Sequence, residues 1–362
     1  MAPPAVVDVD LLDSRRDYVD ALGRGDRRRA TEVAFDLLYR GVPADAVLTE
    51  LIGGGQAEVG LAWQDGRWDV AQEHRASTVA EAVIQAVAQQ AWPTARPAAG
   101  ERGRIAVASA EGEWHVLPGR LVSEVLRLRG FDVDFVGPSV PAVELARFMG
   151  PESPGVVAVS CSMPSSLIGA WRTITALRGA GKIIACGGRG FGPQGVWGVA
   201  LGADLGAEDL DTGTALLDDA LSGPAGSPRP DAVERDVAAE VVLAARELPR
   251  VVEAATHLAV ARWAYLGGDE TWVREARGML TFTLRTVLAA TLVGDDRIVI
   301  DHVGWAESVL AGRSRPISLV AEAFNLLATA MPSDLPRASA TARAGMAACS
   351  HAPPTSLPSP RP

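Results

Sequence analysis

Lysine is nearly missing from this chain. Of its 34 basic residues only Lys182 is a lysine, and 44 acidic residues leave a net charge of -10. A surface of that sign repels phosphate backbones, so general nucleic-acid binding is disfavoured. Cysteine is scarce too. Cys161, Cys186 and Cys349 are too few and too scattered for a disulfide framework or a CxxC zinc site, and they read as reduced, mostly buried thiols. No uninterrupted apolar run reaches the length of a membrane span, and Met1-Ala2-Pro3-Pro4 has neither the basic nor the apolar part of a signal peptide. The expected location is the cytoplasm, away from membranes. What is present is ordinary for globular proteins: 48% apolar and 22% charged residues over 362 positions, enough for two or three domains and too apolar for disorder.

The hydrophobic period changes along the chain. Over 10–97 apolar residues recur at helical spacing, as in Leu37, Leu38 and Val42, then Val47, Leu48 and Leu51, which predicts a small helical bundle. Its Asp26-Arg27-Arg28-Arg29 run reads as a solvated helix face. From 102 to 221 short β-branched runs, Ile105–Ala108, Val133–Val136, Val156–Val159 and Ile183–Ala185, alternate with helix-length amphipathic segments. That is the pattern of a flavodoxin-like, doubly wound parallel sheet buried on both faces. The Gly, Pro and Ser of 222–231 make a linker. Helical spacing returns over 232–331, with breaks expected at Pro249, Gly267-Gly268, Gly294-Asp295 and Pro316, the last opening the final helix. This C-terminal domain is read as globin-like or a four-helix bundle, and 332–362 as a disordered tail. The fold class is therefore α/β plus all-α.

Ligands of an open parallel sheet sit beyond the carboxyl ends of its strands. There the first strand is followed by Glu113-Trp114-His115-Val116-Leu117-Pro118-Gly119, in which a carboxylate precedes a histidine by two residues. Such a carboxylate can fix the tautomer of a metal-ligating imidazole, while the same residues in isolation also read as a helix cap. Ser160-Cys161-Ser162 and Ser165-Ser166-Leu167 follow the third strand. Gly187-Gly188-Arg189-Gly190 follows the fourth and lets a ligand approach the backbone.

Together these pieces resemble the cobalamin-binding Rossmann-like domain, with DxHxxG after its first strand, SxL after the third and GG after the fourth. Glu113 stands for the Asp, Gly119 lies one residue late, and Ser162 replaces the Leu at the strand end. The resemblance implies a corrinoid held base-off, with His115 on the lower face of cobalt and Glu113 behind it. Ser160, Ser162 or Ser165 would lie beside the displaced benzimidazole, and Gly187 and Gly188 along the slot for its tail.

Trp63, nine intervening residues and Glu73-His74 resemble the Wx9EH pattern in the helical cap of CarH-type adenosylcobalamin photoreceptors. In isolation Trp63 reads as a core anchor and Glu73-His74 as surface. The resemblance implies that these three surround the adenosyl group, with His74 the upper ligand of cobalt after photolysis. The CarH-type helix-turn-helix is expected to be missing here, and with it direct DNA binding.

Over the C-terminal domain, Asp301-His302-Val303-Gly304-Trp305 and Arg313-Ser314-Arg315-Pro316 resemble the helical domain of the photocobilins, which pair cobalamin with a bilin. Asp301, His302 and Trp305 are spaced to share one helix side, and Arg313 and Arg315 could meet the propionates of a noncovalent bilin such as biliverdin. An interface-forming bundle, or a heme site on His257 or His302, are the other readings of this domain.

The resulting expectation is a light sensor and not an enzyme, binding adenosylcobalamin and a bilin, and signalling through a homo-oligomer or an effector protein. A corrinoid methyl carrier and a light-independent cobalamin adaptor are the alternatives.

Overall fold

The computed structural model describes residues 11–91, 102–222, 232–263 and 270–349. They form two compact units. One comprises Met1–Ser162, Arg172–Val199 and Ala203–Pro228, the other Met163–Trp171, Ala200–Gly202 and Arg229–Pro362.

The first unit opens with a helical bundle: α1 (Leu11–Arg24), α2 (Arg27–Tyr39), α3 (Ala44–Ala46), a π-helical stretch Val47–Gly53, α4 (Gly54–Gln64) and α5 (Val70–Ala91). The apolar period seen in the sequence becomes its core, including Tyr18, Leu22, Leu37, Leu48, Leu51, Ile52 and Ile84. Asp26 caps α2 by accepting from the Arg29 N–H at 2.9 Å, while Arg28 and Arg29 pair with Glu32 and Asp17, so the basic run is a solvated helix end.

A five-stranded parallel sheet follows, in the order β2-β1-β3-β4-β5. Its strands are β1 (Arg104–Ser109), β2 (Asp132–Gly137), β3 (Val156–Ser160), β4 (Ile183–Gly187) and β5 (Leu205–Ala207). Between and after them come α6 (Val116–Leu128), α7 (Ala142–Phe148), α8 (Leu167–Gly179), α9 (Val196–Ala200) and α10 (Leu210–Ser222). Ile105 and Val107 of β1, Val133 of β2 and Val156 of β3 bury themselves with Leu126 of α6 and Leu217 of α10. The bundle core runs on into α6 through Leu117, Leu121, Val125 and Leu128, which seats the bundle on that helix. One glycine is forced by this packing. Gly188 has φ +101°, and a Cβ there would lie 2.4 Å from the Cys161 carbonyl oxygen, so no side chain fits.

The second unit carries α11 (Arg235–Arg262), α12 (Glu270–Val293), α13 (Arg297–Gly312), α14 (Ser318–Ala330) and α15 (Pro336–Cys349). Three expectations change here. The break at Pro249 is not made: α11 continues through it, with Pro249 on the exposed side and Val241, Ala244, Val251, Val252, Ala255 and Ala259 buried along the other. Burial of that stripe outweighs the roughly 3 kcal/mol cost of an internal proline. Pro316 lies two residues before α14, which is not the last helix. The expected tail is helical over Pro336–Cys349, with Ala338, Thr341, Ala342 and Gly345 buried. Gly345 sits so close to Phe324 that a Cβ would be 2.4 Å from the ring. The breaks at Gly294-Asp295 stand, Gly294 adopting φ +74° after α12. Gly267-Gly268, most of the linker over 222–231 and the residues beyond Cys349 lie outside the described residues.

What fixes α15 is a carboxylate from α11. Glu240 is buried, accepts the Ala338 N–H at 2.9 Å and pairs with Arg337 at 3.2 Å. A capping carboxylate of this kind contributes about 1–2 kcal/mol. Glu240→Ala is expected to lower amide-exchange protection across 336–349 while α11 stays protected. Unchanged protection there would show that side-chain packing alone holds α15.

Candidate functional site

The strand register sets out the site. Ser109, Ser160, Gly187 and Ala207 pair across β1, β3, β4 and β5 at their carboxyl ends. The loop after β1 is pinned at each residue over this row. Ala110 N–H donates to Ser160 O at 3.0 Å, Glu111 N–H to Thr173 Oγ1 at 3.0 Å, and Gly112 N–H to Ser139 Oγ at 3.2 Å. The Glu111 side chain accepts from the Ala142 N–H and pairs with Arg172.

Glu113 follows, only 1% exposed. One carboxylate oxygen accepts from the backbone N–H of His115 at 2.9 Å and meets His115 Nδ1 at 2.5 Å; the other accepts from the Ser162 N–H at 2.9 Å. Burial pushes the Glu113 carboxyl up, but the His115 side chain and the two backbone N–H groups outweigh it and hold the group below its ordinary value. His115, at the start of α6, is shifted up. The hydrogen bond to Glu113 is the main cause, burial opposes it, and the charges of Glu113 and of Glu73 in the bundle add to it. With Nδ1 held, Nε2 is the ring nitrogen left for a metal.

On the bundle, Asp69 and Gln72 cap α5 reciprocally, each side chain accepting the other's backbone N–H at 2.7 and 2.9 Å. This places Glu73 and His74 in the first turn of α5, while Trp63 ends α4, joined through the turn at Gly66 (φ +72°). Glu73 binds His74 Nδ1 at 2.8 Å through one oxygen and accepts from Ser77 Oγ at 2.9 Å through the other. Each of these two histidines therefore has Nδ1 on a neighbouring carboxylate.

A B12 group fits these residues. Ser109 Oγ and Ser162 Oγ are buried with no protein partner beside the paired strand ends, which is unfavourable for hydroxyls unless a polar ligand meets them. A Cβ at Gly119 would lie 3.3 to 3.8 Å from Phe135, Ser109 and Ser160, so its absence leaves room along β1 and β3. Residues 103–210 match a family model described as B12 binding domain, and residues 14–88 match a second model of that description. These are B12-binding domains. No curated protein matches the chain. Among solved structures it is similar to a monomethylamine corrinoid protein of Methanosarcina barkeri, at 21% identity and a TM-score of 0.48, covering 57% of this chain and 98% of that one. It is also similar to a methanol:cobalamin methyltransferase complex of the same organism (19% identity, TM-score 0.31, 61% and 83% covered). A cobalamin-binding protein of Desulfitobacterium hafniense DCB-2 is a third (22% identity, TM-score 0.31, 57% and 97% covered).

The structure thus gathers Glu113, His115, Ser160, Ser162 and Gly187 at the carboxyl ends of β1, β3 and β4. Gly188 is accounted for by the Cys161 backbone. Ser165 lies in the 3-10 turn Pro164–Ser166, part of the stretch Met163–Trp171 that groups with the second unit. Ser109, Thr173 and Ser77 were missed, because hydroxyls carry no motif, and Glu111, because its partners Ala142 and Arg172 lie far along the chain. Trp114, beside His115, is 75% exposed. Burial pushes the thiol of Cys186 up to about 12, leaving it inert. No helix among the described residues is long and apolar enough to cross a membrane.

In the second unit His302 is buried among Phe282, Trp305 and Phe324, with ring centroids at 5.4, 5.8 and 6.0 Å, and Nε2 meets Thr283 Oγ1 at 3.0 Å. Asp301 does not join it. One residue along a helix turns about 100°, and Asp301 is exposed. Arg315 pairs with Glu275 at 3.6 Å and lies over the Trp272 ring, while Arg313 Nη1 donates to the Val309 carbonyl. His257 is exposed, paired with Glu253.

Burial lowers the His302 imidazole from 6.5 to about 4. Because the unfolded chain takes up this proton first, the stabilising effect of neutral His302 is full above pH 6.5 and is lost as pH falls towards 4. By linkage the loss reaches about 3 kcal/mol. Denaturant titrations should show that slope in the full chain and its removal in His302→Leu. An equal slope in both would show that His302 is not the group responsible.

Proposed function

We propose that this protein is a light sensor and not an enzyme, holding adenosylcobalamin base-off between His115 and the helical cap. The observation that carries this reading is the pair of Glu–His couples. Glu113 orients His115, and Glu73 orients His74, so that each imidazole keeps one nitrogen for cobalt. When bound, adenosylcobalamin supplies a cobalt–carbon bond that visible light cleaves. The chain does the rest. Glu113 fixes the lower ligand, Ser109 and Ser162 offer hydroxyls to the displaced tail, and Trp63 gives the upper face an apolar wall. His74, 75% exposed and held by Glu73, is the residue assigned to take the upper position. Its movement would pull on the first turn of α5 and so change the bundle surface, which is the route to a changed oligomer or effector contact.

The second unit is assigned a noncovalent bilin such as biliverdin. His302 with Phe282, Trp305 and Phe324 supports this, since a linear tetrapyrrole needs aromatic walls and a polar group near its pyrrole nitrogens. Arg313 or Arg315 would meet a propionate. A second reading, a corrinoid methyl carrier, is supported by the Glu113–His115 couple, which would serve it equally; that reading gives Trp63 and Glu73-His74 no task.

Absorption spectra of the chain loaded with adenosylcobalamin separate the two. Light is expected to convert the spectrum to that of a cobalamin with two histidine ligands and to change the molecular mass in solution. His74→Ala should bleach without acquiring the second histidine, and His115→Ala should weaken binding or return the cofactor to base-on. A photolysed product that never gains a second histidine in the wild-type chain, with unchanged mass, contradicts the sensor reading. Added biliverdin should give a red-absorbing complex that denaturant dissociates, and a chain that stays colourless removes the bilin.

A further inference from the structure

One polar side chain in the cap has an end with nothing to bond. Gln56 lies on α4; its Oε1 meets Ser77 Oγ of α5 at 3.3 Å, while its Nε2 is buried with no hydrogen-bond partner. The Ser77 hydroxyl has one proton, and the Glu73 carboxylate at 2.9 Å is the stronger acceptor for it. Ser77 is then an acceptor towards Gln56, and a half-turn of the amide about its last bond brings the NH2 group to it. That half-turn exchanges the two ends and puts the carbonyl oxygen at the buried end. That oxygen is an acceptor held by a chain of three residues, Gln56, Ser77 and Glu73, and left waiting for a donor.

The stretch just before Gln56 meets the sheet domain. Gly53, one turn before Gln56, faces Leu121 of α6 closely enough that a Cβ would lie 3.6 Å from Leu121 Cδ1. Gln56 lies three residues further on, and Ser77 joins it to Glu73 in the first turn of α5. His115 stands at the beginning of α6.

We infer that Gln56 is a specificity residue of the upper face, its carbonyl accepting a hydrogen bond from the ribose hydroxyls or the adenine amine of an adenosyl ligand. Ser77 positions it and couples it to Glu73. A methyl or aquo ligand has no such group, so Gln56 would favour adenosylcobalamin over smaller upper ligands. This rests on the adenosyl reading given above, and the two can fail separately.

The test is the affinity of the full chain for adenosylcobalamin, methylcobalamin and hydroxocobalamin in the dark. Gln56→Met keeps the length and removes the acceptor. It should weaken adenosylcobalamin about tenfold, the usual scale for one buried hydrogen bond, and leave the other two unchanged. Ser77→Ala, which frees the Gln56 amide to turn, should lose part of the same preference. Unchanged methylcobalamin affinity also shows that each variant is folded; should Gln56→Met not fold, Ser77→Ala decides. If the wild-type chain prefers adenosylcobalamin and both variants keep the full preference, Gln56 has no such role while the sensor reading stands. If the wild-type chain shows no preference at all, the adenosyl reading falls and this inference with it.

Discussion

A carboxylate taken almost wholly out of water is the constraint on which the candidate site depends. Glu113 would be costly to bury charged, by several kcal/mol, unless its lone pairs were filled. They are filled by the backbone N–H groups of His115 and Ser162 and by His115 Nδ1. Those bonds reach from the loop after β1 to the end of β3, so one side chain fixes the spacing of two strand ends and the angle of the imidazole. The remaining loop contacts, Ala110 to Ser160, Glu111 to Thr173 and Gly112 to Ser139, keep Glu113 where it can do this. The bundle repeats the device in a looser form: Glu73 is only partly buried and holds His74 with help from Ser77. A rigid couple below and a looser one above suit a lower ligand that stays and an upper one that changes.

Much of this was legible because it is local in sequence. β1 to β4 are β-branched runs, and their alternation with amphipathic stretches left little choice but a parallel sheet. The Glu113–His115 couple is a two-residue spacing at a strand end, readable even with Glu in place of Asp. β5 was not readable: Leu205-Gly206-Ala207 has no β-branched residue and is a strand because β4 offers it an edge. The Asp69–Gln72 capping box was there to be read. Ser109, Ser77 and Gln56 were not, because their significance lies in which atoms they fail to meet, and that appears only in three dimensions.

The C-terminal unit shows the opposite failure. Its sequence suggested a proline break, a loose tail and a shared face for Asp301, His302 and Trp305. The fold overrides the first through burial on both sides of Pro249 and the second through Glu240 and the Phe324–Gly345 contact. The third fails because Asp301, about 100° round the helix from His302, is exposed. What survives is a neutral, buried histidine in an aromatic setting.

The central claim is that His115, presented by Glu113, replaces benzimidazole as the lower nitrogen on cobalt. Electron paramagnetic resonance of the chain loaded with Co(II) cobalamin reads that nitrogen directly. Histidine labelled with nitrogen-15 should convert the triplet superhyperfine pattern into doublets, and His115→Ala should abolish the effect of the label. A pattern indifferent to the histidine label would mean that benzimidazole has kept its place, and the account built on Glu113 and His115 would be wrong.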